Sequence, residues 1–342
     1  MDMKDLLERL CGAHGTPGEE KEAAEAAAQA LSPYAKVYID HMGNVVGEMG
    51  GEAAPRHVLL DAHIDQIGMV VTAVDKKGFL KIAPCGGVDR RILPGTRVRV
   101  LGREVLPGVV CCTPPHLQSG REDKIPPVEE MAVDVGRSRE EALALVSPGD
   151  RVVFCEEPKA LLGGRFSAVA LDDRAGVASL IRCAELLSKE ETLPCRVTFL
   201  FSSREETGGN GAKTGAYAVN AQEAVMVDVS FARFPGLPEE KTGALGEGPM
   251  IGYAASLTRE ISVTLQSLAQ KHGIPCQTEA MGGSTGTNAD EVGVARRGVR
   301  TGLLSIPLRN MHTPAEIIQL DDIENTAQLL RAYVMEGGGV HA

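Results

Sequence analysis

The chain has 342 residues, an apolar share of 43%, and a formal net charge of −11 from 46 acids against 35 bases. That length favours two domains over one core, and the absence of a Lys/Arg block or interleaved aromatics argues against nucleic acid as a partner. No apolar run approaches a membrane span, MDMKDLLERL lacks a leader pattern, and eight cysteines without CxxC spacing read as buried thiols, so a soluble cytoplasmic protein is expected.

In chain order, Met1 to Leu31 predicts helix, with Leu6, Leu7 and Leu10 on one stripe and Thr16-Pro17-Gly18-Glu19 resembling a capping box. Lys36 to Ile39 and Asn44 to Glu48 predict a short hairpin turning at Gly43. Val58 to Leu60 form the core of a buried strand, followed by His63 and Asp65. From Thr72 to Gly163, Gly and Pro punctuate short β-prone runs such as Arg97 to Leu101, Gly108 to Cys112 and Arg151 to Cys155. The one convincing helix start there is the capping box at Ser138 to Glu141. This pattern predicts an inserted small β-barrel or PDZ-like module over 72–163, splitting an α/β domain formed by 1–71 and 164–342.

After Gly164 the alternation of strand and helix returns. Helix is expected over Asp172 to Leu187, strand over Arg196 to Phe201 and Glu223 to Phe231, helix near Arg259 to His272, strand over Val299 to Ile306, and helix over Ala315 to Val334. Continuous apolar strands alternating with helices indicate a helix-covered, largely parallel or mixed sheet.

Chemistry concentrates just after the core strands. VLLDAHID supplies His63 and Asp65, VTFLFSSREE supplies Glu205 and Glu206, AVMVDVS supplies Asp228, and GLLSIPLRNMHTPAE supplies His312. Asp172 stands with Asp173 at a helix start. Singly, each has an ordinary explanation: a turn acid, a solvated loop, a satisfied histidine, or a carboxylate favoured by helix N–H groups. Asp228 fits such an explanation least, because a charge directly after Ala-Val-Met-Val is costly to bury unpaired. Jointly, acids and histidines at the carboxyl ends of strands define one rim, where open α/β sheets place their ligands. Nitrogen and oxygen donors without thiolate suit zinc, cobalt or manganese. Five candidate donors exceed the needs of one open catalytic ion and fit two ions sharing a carboxylate.

His63-Ile64-Asp65, Leu171 to Gly176, the Glu205-Glu206 pair, Asp228 after its strand, and Met311 to Glu316 together resemble the tetrahedral-assembly or glutamyl aminopeptidases, metallopeptidases also labelled endoglucanase-like. The stretches Gly86 to Val100 and Pro114-Pro115-His116 in the insert match as well. The resemblance implies an aminopeptidase-like fold with an inserted β-rich assembly domain and a homo-oligomer, usually a dodecamer. It implies one metal on His63 and Asp228, another on Glu206 and His312, and Asp172 bridging both. It makes Glu205 the general base, acting on a water shared by the ions, and Asp65 the residue that orients His63. Gln66 and Asn288 stand where the family usually has Glu and Asp, which bears on substrate preference and activity level.

The function expected is removal of N-terminal residues from peptides by a dinuclear metallo-aminopeptidase. Two other readings are weighed against it. Glycoside hydrolysis by paired carboxylates needs no histidine and would leave few stacking platforms in a chain without Trp. A non-catalytic assembly or regulatory homologue is motivated by Gln66 and Asn288.

Overall fold

A strand with no polar alternation needs cover on both faces. In the computed structural model, which describes residues 2–114, 117 and 125–337, the run at Val58–Leu60 becomes the strand His57–His63, buried at every position. Val58 and Leu60 pack with Leu6, Leu180 and Leu330 from the helices Met3–Gly12, Leu171–Leu187 and Leu320–Glu336. Leu59 faces the other way, toward Ala212, Ala216 and Ala289, as the two-residue period of a strand requires.

This strand lies inside an eight-stranded mixed sheet ordered, by residue range, 36–39, 45–49, 196–202, 57–63, 223–231, 300–308, 250–254 and 277–281. The strands Arg196–Ser202, His57–His63, Glu223–Phe231 and Arg300–Leu308 are neighbours and run parallel. Their carboxyl ends therefore open on one rim. Hydrophobic side chains of a second cluster, among them Met69, Val100, Val133 and Val152, fill a closed six-stranded antiparallel barrel built from 68–74, 80–85, 132–134, 105–111, 97–101 and 151–154. The barrel closes through pairing of Met69 with Val152. Pro115 and His116 of the matching PPH stretch lie outside the described residues.

Several local expectations change. The Ser138 capping box is present and opens the helix Arg139–Leu145. The one expected at Thr16 is not: Thr16 and Glu19 pair in an isolated β-bridge, and the helix begins at Lys21 without a side-chain cap. Gly18, at φ +81°, turns the chain there, and the Glu20 carboxylate accepts its N–H at 2.7 Å. The last helix starts at Leu320, because the β-branched pair Ile317-Ile318 belongs to a strand, Glu316–Gln319, that pairs with Arg165–Ala168. All eight cysteines are free thiols, but only Cys183 and Cys195 are buried. No helix among the described residues is long and apolar enough to cross a membrane.

Candidate metal centre

Register places the candidate side chains. His63 ends its strand opposite Ser202, and Met226 aligns with Asp61, which brings Asp228, two residues further on, level with His63. Glu205 and Glu206 follow the strand Arg196–Ser202 in a short 3-10 turn. Asp172 and Asp173 sit at the head of Leu171–Leu187 with non-helical backbone, and regular helix begins after them.

Asp172 is the centre of the arrangement. His63 Nε2 lies 3.0 Å from its Oδ1, and His312 Nε2 lies 3.1 Å from its Oδ2. Glu206 Oε1 is 3.2 Å from the same His312 nitrogen, and Asp228 Oδ1 is 3.9 Å from His63 Nε2. Ligand atoms of His63, Asp172 and Glu206 all lie within 4.8 Å of one another.

The other ring nitrogens explain why both Nε2 atoms point inward. His63 Nδ1 donates to the backbone carbonyl of Asp65 at 3.1 Å, and His312 Nδ1 donates to that of Gly87 at 3.0 Å. A carbonyl can only accept, so each Nδ1 carries a proton and each Nε2 faces the carboxylates, where it can give its lone pair to a cation that displaces its own proton. Gly87 follows the barrel strand Leu80–Cys85, so the inserted barrel orients one of the two histidines.

Two buried carboxylates fasten the loops. Asp65 accepts the backbone N–H of Glu205 at 3.0 Å and of Glu206 at 3.1 Å, one on each oxygen. The Asp65 carboxylate itself stands 3.5 Å from His63 Nδ1, further than its own carbonyl. Glu316 accepts the backbone N–H of His312 at 2.9 Å and of Asp172 at 3.2 Å. Each of the two loops contains a non-glycine residue at positive φ, Arg204 at +60° and His312 at +61°. Such backbone costs about 1–3 kcal/mol and persists only where surrounding bonds hold it. Asp65→Asn turns one acceptor oxygen into a donor that faces a backbone N–H. Loss of a hydrogen bond to a charged group typically costs about 1.5–3 kcal/mol, so a lower Tm and a lower kcat are expected together, checked by calorimetry and kinetics on the variant.

The electrostatics call for positive charge. Asp173, Asp228 and Glu316 are pushed well above the ordinary carboxylate range, chiefly by burial, with neighbouring acids adding to it. Burial likewise lifts Glu205 to about 7, with Glu206, Asp172 and Asp65 repelling its charge against the pull of His63. Burial opposes charge on the histidines, yet their bonds to Asp172 and its neighbours win. His63 is raised well above its usual value and His312 to about 11. An acid-rich, nitrogen- and oxygen-lined rim in which Asp173, Asp228, Glu205 and Glu316 resist ionisation without a counter-charge fits divalent cations.

A family model described as M42 glutamyl aminopeptidase matches residues 43–329. The chain belongs to that family. This M42 peptidase is 33% identical over 309 residues to lysyl aminopeptidase of Pyrococcus furiosus, spanning 88% of this chain and 87% of the relative. Its fold matches an aminopeptidase from the archaeon Desulfurococcus kamchatkensis with TM-score 0.91 at 32% identity, covering 98% of this chain and 94% of that one. It also matches the Pyrococcus horikoshii TET1 peptidase, which can assemble into a tetrahedron or a large octahedral shell, with TM-score 0.86 at 33% identity over 98% and 100% of the two chains.

Three contributors to this arrangement had no role assigned from sequence. Gly87 and Glu316 lay within quoted motifs, but nothing in their residue types signals a carbonyl or a loop clamp. Arg174 is the third: 1% exposed, it donates to the carbonyls of Ile64 and Leu10 at 2.6 Å, tying the His63–Asp65 loop to the first helix. Two further polar side chains, Asn288 and Gln66, are buried near these strand ends. Asn288 donates to Asp61 Oδ2 at 2.9 Å and Ser202 Oγ at 2.8 Å. Gln66 donates its backbone N–H to Gly15 O at 2.8 Å, and its buried Oε1 has no hydrogen-bond partner among the described residues. 

Proposed function

We propose that this protein is a metallo-aminopeptidase that releases N-terminal residues from peptides at a pair of divalent ions. One observation carries the reading: the two oxygens of Asp172 face the Nε2 atoms of two histidines whose orientations are independently set. His63 and Asp228 would hold one ion, Glu206 and His312 the other, with Asp172 shared. Zinc and cobalt suit this donor set best, with manganese a poorer match.

Bound there, such ions would supply Lewis-acid polarisation of the scissile carbonyl and would acidify the attacking water. The chain supplies the rest. Glu205 would take a proton from the attacking water and return it to the leaving amine. Positive charge beside it would pull its carboxyl below the value of about 7 that burial gives it, leaving it ionised at neutral pH. Asp65 holds Glu205 and Glu206 by their backbones, so that proton carrier and ligand keep fixed positions in one turn. The TET relatives support a homo-oligomer for this chain, and we assign the barrel part of that contact, along with the orientation of His312.

The deciding experiment incubates purified protein with zinc, cobalt or manganese and a panel of aminoacyl-p-nitroanilides. Metal-dependent release of p-nitroaniline from at least one is expected, and its absence across the panel would favour a non-catalytic homologue. Gln66→Glu should change kcat or KM by up to ~10–100-fold while metal content, measured by elemental analysis, stays at two per subunit. Loss of an ion on that substitution would show the donor set to be wrong.

A further inference from the structure

The donor set brings together segments far apart in sequence, and something must hold Asp172 at a constant distance from His312. Glu316 is the group that touches both. Only 2% exposed, it takes the His312 N–H on Oε1 and the Asp172 N–H on Oε2. Its own backbone is anchored: it aligns with Ala168 in the pairing of Glu316–Gln319 with Arg165–Ala168, and Arg309 bridges to Ile317. A carboxylate offers two acceptors on one rigid fork, which a carboxamide cannot do. Asp65 repeats the device on the Glu205-Glu206 turn.

We propose that Glu316 is a positioning residue that sets the separation of Asp172 and His312 and thereby the affinity of the ion position they share. The proposal rests on the two-ion reading. Glu316 acts from behind the donors and takes no part in proton transfer. In Glu316→Gln one backbone N–H faces an NH2 group, and the His312 loop, held at positive φ, gives way, while Asp172 stays paired with His63. Glu316→Asp keeps the charge but is one methylene too short to reach both.

Both variants and the wild type are stripped of metal and titrated with cobalt(II), following heat release and visible cobalt absorption, with the Tm of each metal-free protein recorded. Wild type is expected to take two ions per subunit. Each variant should remain folded, keep one ion at unchanged affinity and bind the other about 10–100-fold more weakly, with an altered cobalt spectrum. Unchanged affinities at both positions, or equal losses at both, would overturn the role of Glu316 and leave the two-ion reading standing. Failure of both variants to fold would assign Glu316 a purely structural role and also overturn the proposal. Fewer than two ions on the wild type would instead sink the two-ion reading itself.

Discussion

Glu205→Gln is expected to retain both ions and lose about 10²–10⁴ in kcat, roughly 3–5 kcal/mol of transition-state stabilisation. Gln has nearly the shape of Glu but cannot accept and return a proton. The backbone N–H of Glu205 is held by Asp65, so the substitution leaves the turn in place. Glu206 is a different case although adjacent. Its Oε1 lies 3.2 Å from His312 Nε2, inside the donor set, so Glu206→Gln should weaken one ion and regain part of its activity at high metal concentration. Elemental analysis beside kinetics on both variants separates the two roles. Metal loss from Glu205→Gln with none from Glu206→Gln would reverse the assignment.

Gly87→Ala is expected to weaken metal binding at His312 by about 10–100-fold, the usual consequence of disturbing what orients a ligand. A Cβ at Gly87 would lie 2.6 Å from His312 Nδ1 and 2.8 Å from Cε1. The ring would have to turn, losing its bond to the Gly87 carbonyl and swinging Nε2 away from Asp172 and Glu206. Backbone conformation is not the obstacle, since Gly87 is absent from the positive-φ glycines. Cobalt titration and kcat at saturating metal test this, and an unchanged second affinity would refute the orienting role. By the same contact, excising the barrel should cost activity as well as assembly, because the Gly87 carbonyl goes with it.

Residue types alone brought forward His63, Asp172 and Glu206, whose ligand atoms lie within 4.8 Å of one another. Continuous apolar runs such as Val58–Leu60 marked buried strands, and acids and histidines after them marked a rim, because side-chain hydrophobicity and donor chemistry are properties of the residues themselves. The same signals delivered the α/β core and a small barrel between its two halves. Short-range grammar failed where tertiary context outweighed it: Ile317-Ile318 joined a strand that only Arg165–Ala168 could complete, and the Gly18 turn displaced the cap at Thr16. What the tertiary structure alone decided is which backbone groups meet the site. The carbonyls of Asp65 and Gly87 set the two histidine tautomers, and the amides of Asp172 and His312 converge on Glu316. Every residue but proline carries the same N–H and C=O, so no residue type announces which of them will be used. Their partners are chosen by strand register and by the docking of barrel on sheet.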